Sequence, residues 1–224
     1  MIRKNEAVLL EQFQNFCKEN PLDFDCVQLE KIESDIRMPR DGVVCDEYVE
    51  FILWTRGLKS RQEYFAEYVT TLFPVEQYKN LLEVGAGSTA RLSGLLSEKG
   101  YQMTAMDPQL APGRVKSEQV RCRSDFFIFG RSEIDAYDAV IAQEPCEATE
   151  HIIRACTAVH KDFVISLCGA PHQMINGEMP EDVYEWYFRL KKIAGKECTL
   201  AVPELIPGYE SWVMIGRFGR QIQY

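Results

Sequence analysis

After Pro74 the chain stops reading as continuous helix and begins to alternate. Short apolar runs, each closed by a glycine, an acid or a polar residue, take turns with segments of helical period. The runs are Asn80–Val84, then 101–106, 118–122, 137–142 and 163–167, with two more at 197–202 and 211–218. Helical patterns fill 89–99, 147–159 and 181–193. Parallel strands need a long crossover between them, and a helix is the usual one. The alternation therefore predicts a parallel sheet with helices on both faces. In such a sheet, ligands sit at the carboxyl ends of the strands, near the point where strand order reverses.

Before Pro74 the period is different. Ala7, Val8, Leu10, Phe13 and Phe16 recur near every 3.6 residues and predict a helix over 5–18. Further helices are expected over 27–38, 45–56 and 60–73. The first of these stops at Met38-Pro39-Arg40-Asp41-Gly42, and the last is framed by Ser60 as N-cap and Pro74 after its end. The organisation read from this is a helical amino-terminal extension over 1–74 and an α/β domain over 75–224.

Charge and cysteine usage remove several function classes. The formal net charge is −9, spread over both parts, and no run of five or more basic residues is present. Phosphate neutralisation needs a basic footprint, so no nucleic-acid partner is expected. No apolar stretch approaches the roughly 20 residues of a membrane span. The amino terminus, Met1-Ile2-Arg3-Lys4-Asn5-Glu6, has no apolar leader core, and a cytoplasmic location is expected. The eight cysteines show no Cys-x-x-Cys pair and the three histidines no His-x-x-x-His pair, so no metal is expected. Cys146, Cys156 and Cys168 read as buried small thiols.

The chemistry is concentrated in Glu83-Val84-Gly85-Ala86-Gly87-Ser88-Thr89-Ala90. Glycines after a strand allow a sharp turn and a close approach to a ligand. The following helix offers its free N–H groups to that ligand. An acid, Asp107, closes the next strand. Two cofactor readings fit. Gly85-Ala86-Gly87-Ser88-Thr89-Ala90 matches the dinucleotide fingerprint Gly-x-Gly-x-x-Gly/Ala, with Asp107 for the adenosine ribose.

The segment also resembles motif I of the class I S-adenosylmethionine-dependent methyltransferases, (Asp/Glu)-x-Gly-x-Gly-x-Gly. Glu83, Gly85 and Gly87 match it, and Thr89 stands where the third glycine is usual. Polar strand ends recur at Glu83, Asp107, Asp125 and Gln143, spaced by 24, 18 and 18 residues. The resemblance covers about residues 60–218. It implies a Rossmann-like, doubly wound, mostly parallel seven-stranded sheet whose last strand is antiparallel. It further implies S-adenosylmethionine as cofactor. Glu83 would lie near the methionine moiety, with Gly85, Ala86, Gly87 and Ser88 around the cofactor. Asp107 would bind the ribose hydroxyls, Asp125 the adenine amino group, and Gln143 would complete the rim. The expected activity is methyl transfer to a small molecule, with a second copy of the chain, in a homodimer, as the candidate protein partner. The alternatives are an NAD(P)-binding oxidoreductase and a non-catalytic module with a degenerate site.

Two side chains are candidates for proton handling. Glu144, in Gln143-Glu144-Pro145-Cys146, fits a general base or an orienting carboxylate; it equally fits a cap for the helix that begins at 147. His172, in the loop after the fifth strand, fits a base for the acceptor or a solvated loop histidine. His151 reads as an exposed helix residue. The resemblance also implies a lid built from the extension, with Tyr48, Arg56 and Tyr64 facing the substrate.

Overall fold

The computed structural model describes residues 2–19, 26–37, 46–115 and 117–218. The expected helix stop at Met38 to Gly42 lies outside the described residues. The chain divides into two compact units, Met1–Arg61 and Gln62–Tyr224.

The smaller unit holds helices α1 (Ile2–Glu19), α2 (Cys26–Arg37) and α3 (Asp46–Thr55). Its core is Phe13, Phe16, Ile32, Ile36 and Phe51, which are the inward positions of the three helical periods. Phe51 meets Phe13 edge-on at 5.8 Å and Phe16 at 5.6 Å. The indole of Trp54 donates to Glu19 at 3.2 Å, joining α3 to the end of α1.

The larger unit takes in α4 (Arg61–Leu72) from its second residue and continues as β1 (Asn80–Val84), α5 (Arg91–Glu98), β2 (Gln102–Met106), β3 (Val120–Arg123), β4 (Ala139–Gln143), α6 (Ala148–Ala158), β5 (Asp162–Ser166), α7 (Val183–Ala194), β6 (Cys198–Ala201) and β7 (Val213–Gly216). The sheet order is β3-β2-β1-β4-β5-β7-β6. All pairings are parallel except those of β7, which runs antiparallel to β5 and β6. The order reverses between β1 and β4, the crevice where ligands bind in open α/β sheets.

Successive residues of a strand face opposite sides, and both sides are buried here. Leu82, Val84, Val140, Ala142 and Ile165 pack with Ile152, Cys156, Trp186 and Leu190 of α6 and α7. Leu81, Met103, Ala139, Ile141 and Val164 pack with Phe65, Val69, Leu92 and Leu96 of α4 and α5. Counted by sequence pattern with the helical extension, α4 thus packs against the sheet. Glu83 follows the parity of Leu81, so its side chain is directed into the α5 layer. At the amino ends of the strands, carboxylates replace missing backbone partners. Asp138 accepts from the Lys79 and Asn80 N–H groups at 2.7 and 2.8 Å. Buried Asp162 accepts from the Tyr78 hydroxyl at 2.6 Å and the Phe218 N–H at 2.7 Å.

Candidate functional site

The carboxyl ends of β1, β2 and β4 surround a cavity of about 580 Å³, within the range of about 300–1,000 Å³ usual for small-molecule sites. Two loops set its width at the switch point. Gly85 has φ of +74°, and a Cβ there would stand 2.8 Å from Pro145 Cα. Only glycine lets the β1 loop lie this close to the β4 loop. Gly87 also has a positive φ, +64°, but open space where its Cβ would be. Its N–H donates to Asp107 Oδ2 at 3.0 Å, while Asp107 Oδ1 accepts from the Gln109 N–H at 2.7 Å. Asp107 is thereby oriented by two backbone donors at the cavity wall.

Of the expected site residues, Gly85, Gly87, Asp107, Asp125 and Glu144 line this cavity together. Glu83, Ala86, Ser88, Gln143 and His172 are outside its lining. Ala86 is buried, with its N–H directed at Met106 O. The Ser88 hydroxyl accepts from Arg114 at 3.2 Å. Gln143 pairs with Ser166 in the sheet.

Glu83 serves the helix instead. No side chain caps α5 at its N-cap residue, Ala90. The buried Glu83 carboxylate accepts from the Ser93 N–H at 2.9 Å and from the Ser93 hydroxyl at 2.5 Å. It satisfies a first-turn donor that would otherwise be orphaned, from across the strand–helix interface. Burial lifts its pKa to about 7, against the lowering effect of the two Ser93 bonds and with a small contribution from Asp107. The third left-handed residue of this loop is Ala90, with φ of +46°, one position after Thr89.

The β4 loop is strained. Glu144 and Cys146 both have positive φ, +53° and +50°, without being glycine. Such backbone costs on the order of 1–3 kcal/mol per residue and clusters at functional sites. The Glu144 N–H is anchored to Ser166 O at 2.8 Å, and Thr149 donates through both its N–H and its hydroxyl to Cys146 O. Glu147, the N-cap residue of α6, makes no side-chain cap bond.

The cavity also uses residues that carried no expected role: Phe126, Phe127, Ile128 and His151. Phe126 is 66% exposed, a large aromatic face directly after Asp125. The order Ser124-Asp125-Phe126 carried that signal. His151, expected to be an exposed helix residue, is half-buried and accepts from the Phe129 N–H at 3.1 Å through Nδ1. Burial lowers its pKa.

His172 lies beside two thiols. Cys146, Cys168 and His172 offer one ligating atom each, and these lie within 4.8 Å of one another. The neighbouring Cys146 thiol and then His172 hold the Cys168 thiol well below its ordinary pKa against the opposing effect of burial. The Cys168 partner raises the pKa of His172. The imidazole packs edge-on against Trp186 at 5.2 Å, and its Nδ1 is 3.7 Å from Glu147 Oε1.

No family model and no curated protein matches this chain. Solved structures do. A chain of the complex between the Haloferax volcanii Trm112 methyltransferase activator and a putative methyltransferase is 15% identical over 79% of this chain and 99% of that one, with a TM-score of 0.50. A SAM-dependent methyltransferase of Leishmania major is 15% identical over 75% of this chain and 76% of its own, with a TM-score of 0.49. A putative methyltransferase of an antibiotic pathway in Anabaena variabilis is 16% identical; the match spans 46% of this chain and 44% of that one, with a TM-score of 0.38. At such identities the likeness is one of fold. The likeness to the first of these, at a TM-score of 0.50, together with the strand order shows the Rossmann-like methyltransferase fold.

Proposed function

We propose that this chain transfers a methyl group from S-adenosylmethionine to a small-molecule acceptor. The observation that supports it most is the Asp107 carboxylate, held by the Gly87 and Gln109 N–H groups at the switch-point cavity. Bidentate acceptance of two vicinal ribose hydroxyls needs a carboxylate fixed in this way. The open space at Gly87 leaves room for close backbone approach. Asp125 and Phe126, side by side on the same wall, suit an adenine amino group and an adenine face.

The cofactor supplies a sulfonium methyl that an acceptor nitrogen, oxygen or sulfur can displace directly. The chain's part is then positioning, which supplies most of the acceleration in such a reaction. Glu144 lines the cavity on the strained 144–146 loop, whose backbone is anchored by the Glu144 N–H to Ser166 O. An acceptor protonated at working pH would lose its proton to Glu144. Glu83 acts at one remove, by fixing the first turn of α5 and with it the glycine loop.

Incubation with methyl-labelled S-adenosylmethionine and a panel of amines, thiols and phenols tests this reading. Transfer to one class, reduced in Asp107→Ala, is the expected result. Binding of S-adenosylhomocysteine without transfer to any acceptor would point to a non-catalytic module. Binding of NADH in its place would move the chain to redox chemistry, since Asp107 equally suits a dinucleotide ribose.

A further inference from the structure

We propose that Cys146, Cys168 and His172 form a zinc site at the carboxyl ends of β4 and β5. Sequence spacing alone does not group these residues. The fold does, because β4 and β5 are parallel neighbours whose last residues, Gln143 and Ser166, pair. Each strand therefore delivers its following loop to the same edge. Cys146 comes from one loop, and Cys168 and His172, four apart, from the other.

Three observations point to a metal rather than to three packed side chains. The ligating atoms are already within 4.8 Å of one another. Two sulfurs bound tetrahedrally to zinc at 2.3 Å stand about 3.8 Å apart, so closure needs a contraction of at most about 1 Å. The Nε2 of His172 is buried and has no hydrogen-bond partner. An orphaned buried ring nitrogen is costly unless something occupies it. Finally, the Nδ1 of the same ring stands 3.7 Å from Glu147 Oε1, so an ion taken by Nε2 would leave the second nitrogen facing a carboxylate. A metal-bound histidine usually turns its second nitrogen to a carboxylate, which fixes its tautomer and orientation. The left-handed backbone of Cys146 fits the same picture: a costly conformation directs this side chain to the cluster.

The donor set selects the ion. Two thiolates and an imidazole favour zinc over magnesium or calcium, which take oxygen ligands. Three protein ligands leave the fourth position to solvent or to another small ligand. Cys146 and Glu147 also belong to the cavity wall, so the site borders the cavity. The proposal uses none of the residues assigned to the adenosyl group and stands without the methyl-transfer reading.

The test uses the full chain. Zinc content is measured after purification under reducing conditions, and the metal-free protein is titrated with Co²⁺. The wild type is expected to hold one metal per chain and to show the thiolate-to-cobalt charge-transfer and ligand-field bands of a tetrahedral site. Cys168→Ser and His172→Gln should each weaken zinc binding on the order of 100-fold, and Glu147→Gln about 10-fold. Cys122→Ser, outside the cluster, should change nothing. Thermal unfolding and S-adenosylhomocysteine titration of the same samples separate a lost site from a lost fold or a wrong cofactor. Absence of thiolate–cobalt bands in the wild type would overturn the proposal. So would bands that survive in both Cys168→Ser and His172→Gln, or a Cys146–Cys168 disulfide in place of metal.

Discussion

Replacing Glu83 by glutamine should shift stability in favour of the variant as pH rises. The carboxyl is fully buried and its pKa stands at about 7 in the folded protein, from an ordinary value of 4.5. The folded protein thus holds this proton more tightly than the unfolded chain does. The resulting stability is full below about pH 4.5 and is lost as pH rises through 7. A shift of this size is worth about 3 kcal/mol at 1.36 kcal/mol per unit. Between pH 5 and 8 the loss is about 2.5 kcal/mol. Glutamine keeps an acceptor for the Ser93 N–H and hydroxyl but carries no charge to bury. Whatever fixed cost its amide adds is the same at every pH. The advantage of Glu83→Gln over wild type should therefore grow by about 2.5 kcal/mol from pH 5 to pH 8, equal to about 5–10 °C in Tm for a domain of this size. Thermal melts of both proteins by far-ultraviolet circular dichroism at four pH values measure it, and the titration of all other groups cancels in the difference. A Tm difference that stays constant or shrinks with pH would refute the reasoning.

Other sites give sharper single-point outcomes. Gly85→Ala places a Cβ 2.8 Å from the Pro145 backbone at positive φ, so the two cavity loops must part; titration should find affinity for S-adenosylhomocysteine reduced on the order of 100-fold or more. Gly216→Ala on β7 drives a Cβ into the ring of the fully buried Phe163; denaturant unfolding should show a loss of about 1–3 kcal/mol. Tyr78→Phe leaves the buried Asp162 carboxylate short of one donor, and the same assay should show a loss of about 1.5–3 kcal/mol.

The elements were legible because their local signals agree with one another. Asn80–Val84 is buried on both faces and closed by a glycine, as a central parallel strand is. Asp182 marks the start of α7 and accepts from the Glu185 N–H three residues on, as an N-cap should. The placing of site residues was legible only where backbone position decides it. Gly85, Gly87, Asp107 and Asp125 meet because they close neighbouring strands. The direction of Glu83 depends on strand parity and on which helix covers that face, and its role as acceptor for Ser93 is a tertiary fact. His172 meets Cys146 through the β4–β5 pairing, with 25 residues between them in the chain. The left-handed conformations of Ala90, Glu144 and Cys146 contradict the preferences of those residue types. Local rules fail at such positions because the surrounding packing imposes them.

The most direct test of the cofactor assignment is a calorimetric titration of the wild type and of Asp107→Ala with S-adenosylhomocysteine and, separately, with NADH. The expected result is micromolar binding of S-adenosylhomocysteine by the wild type, its loss in Asp107→Ala, and no heat with NADH. Equal affinity of the two proteins for S-adenosylhomocysteine, or binding of NADH alone, would contradict it.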